Sequence, residues 1–377
     1  MSEQKVRVAV LFGGDSPEHE VSLVSAASVL QAIDREKLAV VPVGIARTGE
    51  WLAGDGALAE LRQRALEQPG PRGAVARSLA LPEPSGAPPV RVTFDAAAGV
   101  LLPGDAALPI RIDVVFPVMH GRLGEDGAIQ GLLELAGLPY VGPGVLGSSL
   151  AMDKHRTKLV LRQEGIPVAD WFAVETAGGA DAALAGMKKN GFSYPVFVKP
   201  ARCGSSVGVG KATGDAELAA QVVAALTFDE LVLVERAVLR AREIECAVLG
   251  NLTPESSVPG EVVPSHEFYD YEDKYVGGAA RLLIPAPLSS AQAERCRSLA
   301  IAAFRAVDGE GMARVDFLLA PQDGEIVVNE INTIPGFTPI SMYPKLWAAS
   351  GLPYPELIDR LVHLACERHE RKRRLRA

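Results

Sequence analysis

Four cysteines in 377 residues, Cys203, Cys246, Cys296 and Cys366, stand apart with no CxxC pair among them. Such spacing gives neither a zinc signature nor a disulfide framework and fits reduced thiols in a cytoplasmic protein. Long apolar runs are also missing. No stretch reaches the ~18 apolar residues that would span a bilayer, and no signal peptide is expected. Positive charge is in deficit: 38 Lys and Arg face 46 Asp and Glu, a formal net charge of −8. That balance argues against a broad attraction to nucleic acid or anionic lipid. The one basic run, Arg368-His369-Glu370-Arg371-Lys372-Arg373-Arg374, fits a nucleic-acid contact or a solvated helix end, and the second is preferred. The glycine loop after the first apolar run lacks Gly-x-Gly-x-x-Gly spacing, which speaks against a dehydrogenase, and no Gly-Lys-Ser/Thr opens a helix. No internal repeat is visible.

The length calls for two or three domains. The order of elements is α/β. Val6 to Leu11 is a short, mostly apolar run expected as a buried parallel strand. A loop with Gly13 and Gly14 follows, then a helix over Ser22–Leu30 with Leu23, Ala26, Ala27 and Leu30 on one face. Glu20 stands at the start of that helix, as a dipole-stabilising cap or a ligand contact. Strands are expected at Ala39–Ile45 and Asp113–Met119. The second ends in His120 above a glycine loop, where open α/β sheets bind ligands; a structural histidine is an equal reading. Residues 47–109 read as a peripheral insertion with a strand at Val90–Phe94. After a hinge at Tyr140–Gly144, Ser148 is expected to cap a helix carrying Lys154, Arg156 and Lys158. Cations early in a helix oppose its dipole, so a solvated face or a nearby anion explains them, and the solvated face is preferred for Arg156 and Lys158. Lys199 closes a strand from Tyr194. The loop Ala201–Gly210 then offers small residues, among them Ser205 and Ser206, that could fold over phosphates or form a flexible hairpin tip. Strands at Leu231–Glu235 and Glu243–Val248 precede a polar-aromatic segment, His266–Gly278, expected as a lid. Ala291 to Val307 is an amphipathic helix.

The most informative stretch is Ala313–Leu319 with Glu325–Ile331, two strands about a Pro321–Gly324 turn. Alternation puts Arg314 and Asp316 on one face and Glu330 with Asn332 on one face. Pairing about the turn sets Asp316 opposite Glu330 and Arg314 opposite Asn332. Val315, Phe317, Ile331 and Asn329 are assigned to the other, core face. An all-oxygen cluster of this kind suits Mg²⁺, with ligands at ~2.1 Å; a chance ion pair on an exposed hairpin is the plainer alternative. Thr333–Thr338 is a Gly/Pro turn where backbone amides could approach a ligand.

Along almost its whole length the sequence resembles the D-alanine–D-alanine ligase family of the ATP-grasp superfamily. The matching segments stand in family order: His19-Glu20-Val21-Ser22-Leu23, Met119–Gly127, Met152-Asp153-Lys154, Val198-Lys199-Pro200 with Gly204–Gly208, Glu243–Val248, Tyr269-Asp270-Tyr271 to Lys274-Tyr275, Ala313–Phe317, and Asn329–Thr333 with Pro335-Gly336. Any one alone would be weak; eight in order are not coincidence.

The resemblance implies a three-domain ATP-grasp fold: a Rossmann-like parallel-sheet domain over 1–143, a central subdomain over 144–231, and a C-terminal subdomain over 232–377 with the metal site and lid. It implies ATP-dependent joining of two D-alanines through an acyl phosphate. Lys154, Lys199, Ser205, Ser206 and Lys274 would serve the phosphates, Glu235 to Val238 the adenine, Glu243 the ribose, and Leu318 would line the nucleotide site. Asp316, Glu330 and Asn332 would hold two Mg²⁺ ions, with Mn²⁺ as a substitute and a monovalent cation as a possible addition. Glu20, His120, Arg314, Gly336, Ser341 and Met342 would bind the amino acids. Glu20, Ser205 and Tyr275 would form the group that docks the lid, and Arg314 and Ser341 complete the catalytic set. A homodimer is expected, with no nucleic-acid or membrane partner.

Three departures from the family pattern stand out. The spacing from Glu235 to Glu243 is one residue long. Cys203 lies inside the phosphate loop, which could make ATP binding sensitive to oxidation. Tyr275, where ester-forming relatives tend to have Phe, favours the dipeptide product. The rival readings are a D-alanine–D-lactate or D-alanine–D-serine ligase, an ATP-grasp ligase of another substrate, and an ATP-binding regulatory protein with a dead site.

Overall fold

The computed structural model describes residues 5–67, 89–104, 108–264, 280–321 and 324–375. The first strand, β1 (Val6–Gly13), pairs in parallel with β2 (Leu38–Ile45) and β7 (Val114–Pro117). Both faces of β1 are covered. Val8, Val10 and Phe12 pack towards α1 (His19–Ala32), whereas Ala9 and Leu11 join Ile129 and Leu133 of α3 (Ala128–Leu135). Two-sided burial is why the run is apolar without alternation. The peripheral insertion is built into this sheet. Strands β3 (Trp51–Ala53), β4 (Val90–Asp95), β5 (Val100–Pro103) and β6 (Ile110–Arg111) extend it antiparallel beyond β2, with α2 (Ala57–Leu66) packed on β2.

The second sheet runs β10 (Gly210–Ala212), β9 (Val196–Pro200), β11 (Leu231–Arg236), β8 (Trp171–Glu175), all antiparallel. One face is covered by α6 (Gly179–Lys189) and α7 (Asp215–Ala225). A boundary after residue 231 would cut β11. All six of its residues belong to this sheet, so the change of sheet follows Arg236.

The third sheet contains β15 (Arg281–Leu283), β14 (Gly260–Val263), β12 (Arg242–Gly250), β16 (Gly311–Leu319) and β17 (Ile326–Asn332), with β13 (Glu255–Ser256) beside β12. One face packs on α8 (Ser290–Ala306), whose N-terminus carries a capping box between Ser289 and Gln292. The other face shares a continuous core with the first sheet, through α9 (Met342–Ala349) and α10 (Tyr354–Arg374). Phe337 is its joint. Fully buried, it meets Phe116 at 5.6 Å and Tyr343 at 5.7 Å edge-on and stacks on Tyr354 at 6.1 Å. Burial of such a ring contributes about 2–3 kcal/mol, and it fixes the Thr333–Thr338 turn against the first sheet.

Two expectations about helices change. Ser148 is not a cap: it is buried within α4 (Val145–Met152), and Asp153 caps α5 (Lys154–Gln163) by accepting from the Arg156 amide at 2.9 Å. The basic tail is only in part a solvated face. Arg368 is buried, lies over the Tyr140 ring and donates to the carbonyls of Tyr140 and Gly142, while Lys372 pairs with Glu310 at 3.0 Å. It ties α10 to the hinge. Among the described residues, no helix is long and apolar enough to cross a membrane.

Candidate active site

A cleft of about 490 Å³ opens between the second and third sheets, lined by Lys154, Lys199, Ser206, Lys211, Glu235 to Ala241, Glu243, Leu318, Asn329 and Glu330, among others. Its two walls are set by register. Lys199 is opposite Leu233 in β9–β11, and Glu243 is opposite Leu318 in β12–β16. A smaller cavity of about 100 Å³ lies beside it, bordered by Glu18, His120, Glu125, Gly204, Ser205, Asn332, Gly336, Ser341 and Met342. Arg314, Glu245 and Glu330 line both.

The shared wall is the β16–β17 hairpin. Arg314 stands opposite Asn332 and Asp316 opposite Glu330, the pairing that alternation requires. The guanidinium of Arg314 grips Asp316 with two bonds of 2.7 Å and lies 3.0 Å from Glu245. Burial alone would lower the Arg314 pKa, but Asp316, Glu245 and Glu330 outweigh it and hold the cation firmly charged. The Asn332 amide donates to Asp316 at 3.0 Å. Asn329 departs from its assigned core face. The register jumps from Asp316–Glu330 to Phe317–Val328, so Asn329 is the extra residue of a bulge; its amide oxygen accepts from Lys199 at 3.1 Å in the cleft. The two carboxylates and one amide on this face are hard oxygen donors that fit Mg²⁺.

Of the two acids at the start of α1, Glu18 and not Glu20 lines the small cavity. Glu20 is 1% exposed and its carboxylate is held by Arg47 through two bonds of 2.9 Å, away from the cavity. Glu18, two residues earlier at the N-cap, lines the cavity and accepts from the Ser205 hydroxyl. It sits so close to Gly121 that a Cβ there would come within 2.6 Å of its oxygen. Two residues along a helix turn a side chain through ~200°, and here Glu20 meets Arg47 while Glu18 lines the cavity. The signal was slight: Glu18 follows Pro17, two residues ahead of Glu20.

Ser205 and Ser206 both take positive φ, 49° and 58°, a costly conformation for non-glycine residues that clusters at ligand-binding loops. Ser205 faces the small cavity and Ser206 the cleft. Lys154 donates to the Cys203 carbonyl at 2.6 Å. Burial raises the Cys203 thiol pKa, so it is not the activated thiolate that oxidation sensitivity would need. His120 donates from Nδ1 to the Ile334 carbonyl at 3.1 Å and accepts at Nε2 from Ser25 at 2.9 Å. Burial pushes its pKa down to about 4, so it is neutral. Glu125, unmarked by sequence reasoning, goes the other way: burial and then the Glu18 charge push it up to about 8. Ser341 precedes α9 and accepts from the Thr338 amide at 3.0 Å. Gly336 passes it closely, since a Cβ there would sit 2.7 Å from Oγ. Val238 and Leu318 line the cleft and Met342 the small cavity. Lys274 and Tyr275, with the rest of the lid, lie outside the described residues.

Glu235 and Lys158 hold a surprise. Expected on a solvated face, Lys158 is 2% exposed and meets Glu235 at 2.7 Å; Lys199 meets the other oxygen of the same carboxylate, also at 2.7 Å. Burial would raise the Glu235 pKa, but the two lysines hold it down at about 2. The sequence signal was weak: one lysine a turn beyond Lys154 on a helix whose buried positions are otherwise Thr157 and Leu161.

Comparison with known proteins decides the family. Residues 7–143 match the family description "D-ala D-ala ligase N-terminus", and residues 160–363 match "D-ala D-ala ligase C-terminus". The chain belongs to the D-alanine–D-alanine ligase family. It is 47% identical to a D-alanine–D-alanine ligase of Ruminiclostridium cellulolyticum and 45% identical to one of Natranaerobius thermophilus, covering 98% of both chains in each case. Among solved structures it is similar to the D-alanine–D-alanine ligase of Coxiella burnetii, with TM-score 0.80, 36% identity and 98% and 97% of the two chains covered. It is also similar to a D-Ala:D-Ser ligase of Enterococcus faecalis, with TM-score 0.81, 34% identity and 96% and 100% covered. Membership in this family makes the fold an ATP-grasp and the chain an ATP-dependent ligase.

Proposed function

We propose that the protein joins two molecules of D-alanine into D-alanyl-D-alanine at the expense of ATP, for peptidoglycan precursor synthesis. One observation carries the reading: Arg314 and Glu330 border both the large cleft and the small cavity. A nucleotide whose phosphates end at the hairpin would meet an amino-acid carboxylate held on the other side. The carboxylate of the first D-alanine attacks the γ-phosphate, giving an acyl phosphate and ADP. The amine of the second then attacks that carbonyl and phosphate leaves.

In this proposal Lys154, Lys199 and the Ser205–Ser206 loop receive phosphate oxygens, with Lys274 joining from the lid. The chain around Val238 receives adenine and Glu243 the ribose. Asp316, Glu330 and Asn332 would hold Mg²⁺, which supplies charge neutralisation at the transferring phosphate. Arg314 and the Gly336 amide face the oxyanion that develops during amine attack. Ser341, with the Met342 amide at the start of α9, suits the second carboxylate because helix N-termini favour anions. Glu18 with Ser205, and Tyr275 from the lid, position a proton-accepting group. Neutral His120 offers no charge, so it orients the first substrate rather than pairing with it. Mn²⁺ as a substitute, a monovalent cation, a homodimer and cytoplasmic residence belong to the same proposal and rest on family membership.

The test is phosphate release from ATP with Mg²⁺ and either D-alanine or L-alanine. Release dependent on D-alanine, with the dipeptide as product, is expected. Release with neither alanine, or a product only with D-serine or D-lactate as second substrate, would replace this reading.

A further inference from the structure

Lys158 takes no part in the chemistry above, yet it is among the most deeply buried cations of the chain. Its Nζ lies 2.7 Å from Glu235, 3.5 Å from the Ala169 carbonyl and 5.6 Å from the centre of the Trp171 ring. Nothing about α5 requires a charge there; a methionine would fill the space. Burying an ammonium is costly unless it is paired, so its presence asks for a reason.

The arrangement is a line of three charges: Lys158, the Glu235 carboxylate, and Lys199 at the cleft wall. With Glu235 and Lys199 alone, the pair would be neutral and the carboxylate would hold Lys199 to itself. A second lysine on the far oxygen changes this. Two cations on one anion leave one net positive charge, and Lys199 is the cation that borders the cleft. Lys158 itself does not line the cleft and reaches its wall through Glu235.

We propose that Lys158 is a positioning residue for the nucleotide phosphates: by occupying one oxygen of Glu235 it leaves Lys199 with charge to spend on an anion. The inference rests on the cleft being the ATP site. Its effect scales with ligand charge, which a purely structural role would not do. A loosened cleft would weaken every nucleotide alike; a lost charge would weaken phosphate-bearing ligands only.

The experiment is calorimetric titration of the full-length protein and Lys158→Met with Mg²⁺–ADP and with adenosine, with thermal melting to confirm folding. Lys158→Met should bind ADP at least tenfold more weakly while adenosine binding stays within twofold. Lys158→Arg, which keeps the charge, should bind ADP within a few-fold of the parent. Should Lys158→Met be unfolded, Lys158→Arg is read instead against Lys158→Gln. Equal loss for ADP and adenosine, or no loss for either, would overturn the proposal. If the parent protein itself binds no ADP, the nucleotide reading of the cleft falls first.

Discussion

The β16–β17 hairpin and two helix starts, at Glu18 and at Lys154, border the same pair of cavities but place their side chains there by different rules. In the hairpin the side-chain period is two, so Arg314, Asp316, Glu330 and Asn332 fall on one face by arithmetic, and their pairing follows from the position of the turn. At a helix start the direction of each side chain depends on where the first turn begins. A shift of two residues sends one acid into the cavity and the other onto Arg47. Strand faces are therefore legible from sequence where helix entrances are not.

The largest effect should come from the hairpin. Glu330→Gln should lower turnover by about 1000-fold, with thermal stability close to that of the parent, since Glu330 is half-buried at the cavity wall rather than in the core. Activity near the parental rate would remove the metal assignment and with it the functional meaning of the shared face.

The helix start at α1 allows a sharper contrast. Glu18→Gln should lower kcat/KM by about 100-fold with little change in melting temperature. Glu20→Gln should do the reverse, because it leaves Arg47 facing no charge in a buried setting, a loss of about 3 kcal/mol. Denaturant unfolding and steady-state kinetics on both variants separate the two roles; the opposite pattern would restore Glu20 to the cavity.

Much of the rest was legible for the same reason as the hairpin. The strands read from composition, β1, β2, β4, β7, β9, β11, β12, β16 and β17, lie within a few residues of where it put them, because apolar and β-branched runs have few other uses; β8, β10, β14 and β15 were not read. Lys199, Glu243 and Leu318, each on a strand, border one cleft. What escaped depended on tertiary partners. Asn329 was displaced by a bulge, which alternation cannot foresee. Lys158 was taken as solvated because its partner, Glu235, lies 77 positions away on an inner strand of the second sheet. The antiparallel extension of the first sheet was hidden in Gly- and Pro-rich text whose short strands carry little pattern.

His120 gives a test of intermediate size, at a position where strand and loop meet. Its folded pKa, about 4, lies below the unfolded value near 6.5. The unfolded chain therefore takes up a proton that the folded chain refuses as pH falls through 6.5. Stability contributed by neutral His120 is full above pH 6.5 and falls progressively down to pH 4, by on the order of 3 kcal/mol. Urea unfolding across that range should show this limb in the parent and lose it in His120→Gln. An unchanged profile would mean that the ring is protonated in the fold, contrary to its bonds with Ser25 and Ile334.

The smallest effect concerns the second helix start, where sequence reasoning named Ser148 and the fold uses Asp153. Asp153 accepts from the Arg156 amide at 2.9 Å, and its negative charge sits at the positive end of α5. Asp153→Ala should cost about 1 kcal/mol. Ser148→Ala removes a hydroxyl whose bond to the Pro143 carbonyl is a long 3.5 Å, so its cost should be smaller still. If the order were reversed, the chain break between α4 and α5 would not be where the cap places it. Lys154, the first residue of α5, would then lose its fixed relation to the Cys203 carbonyl and to the phosphate loop it borders.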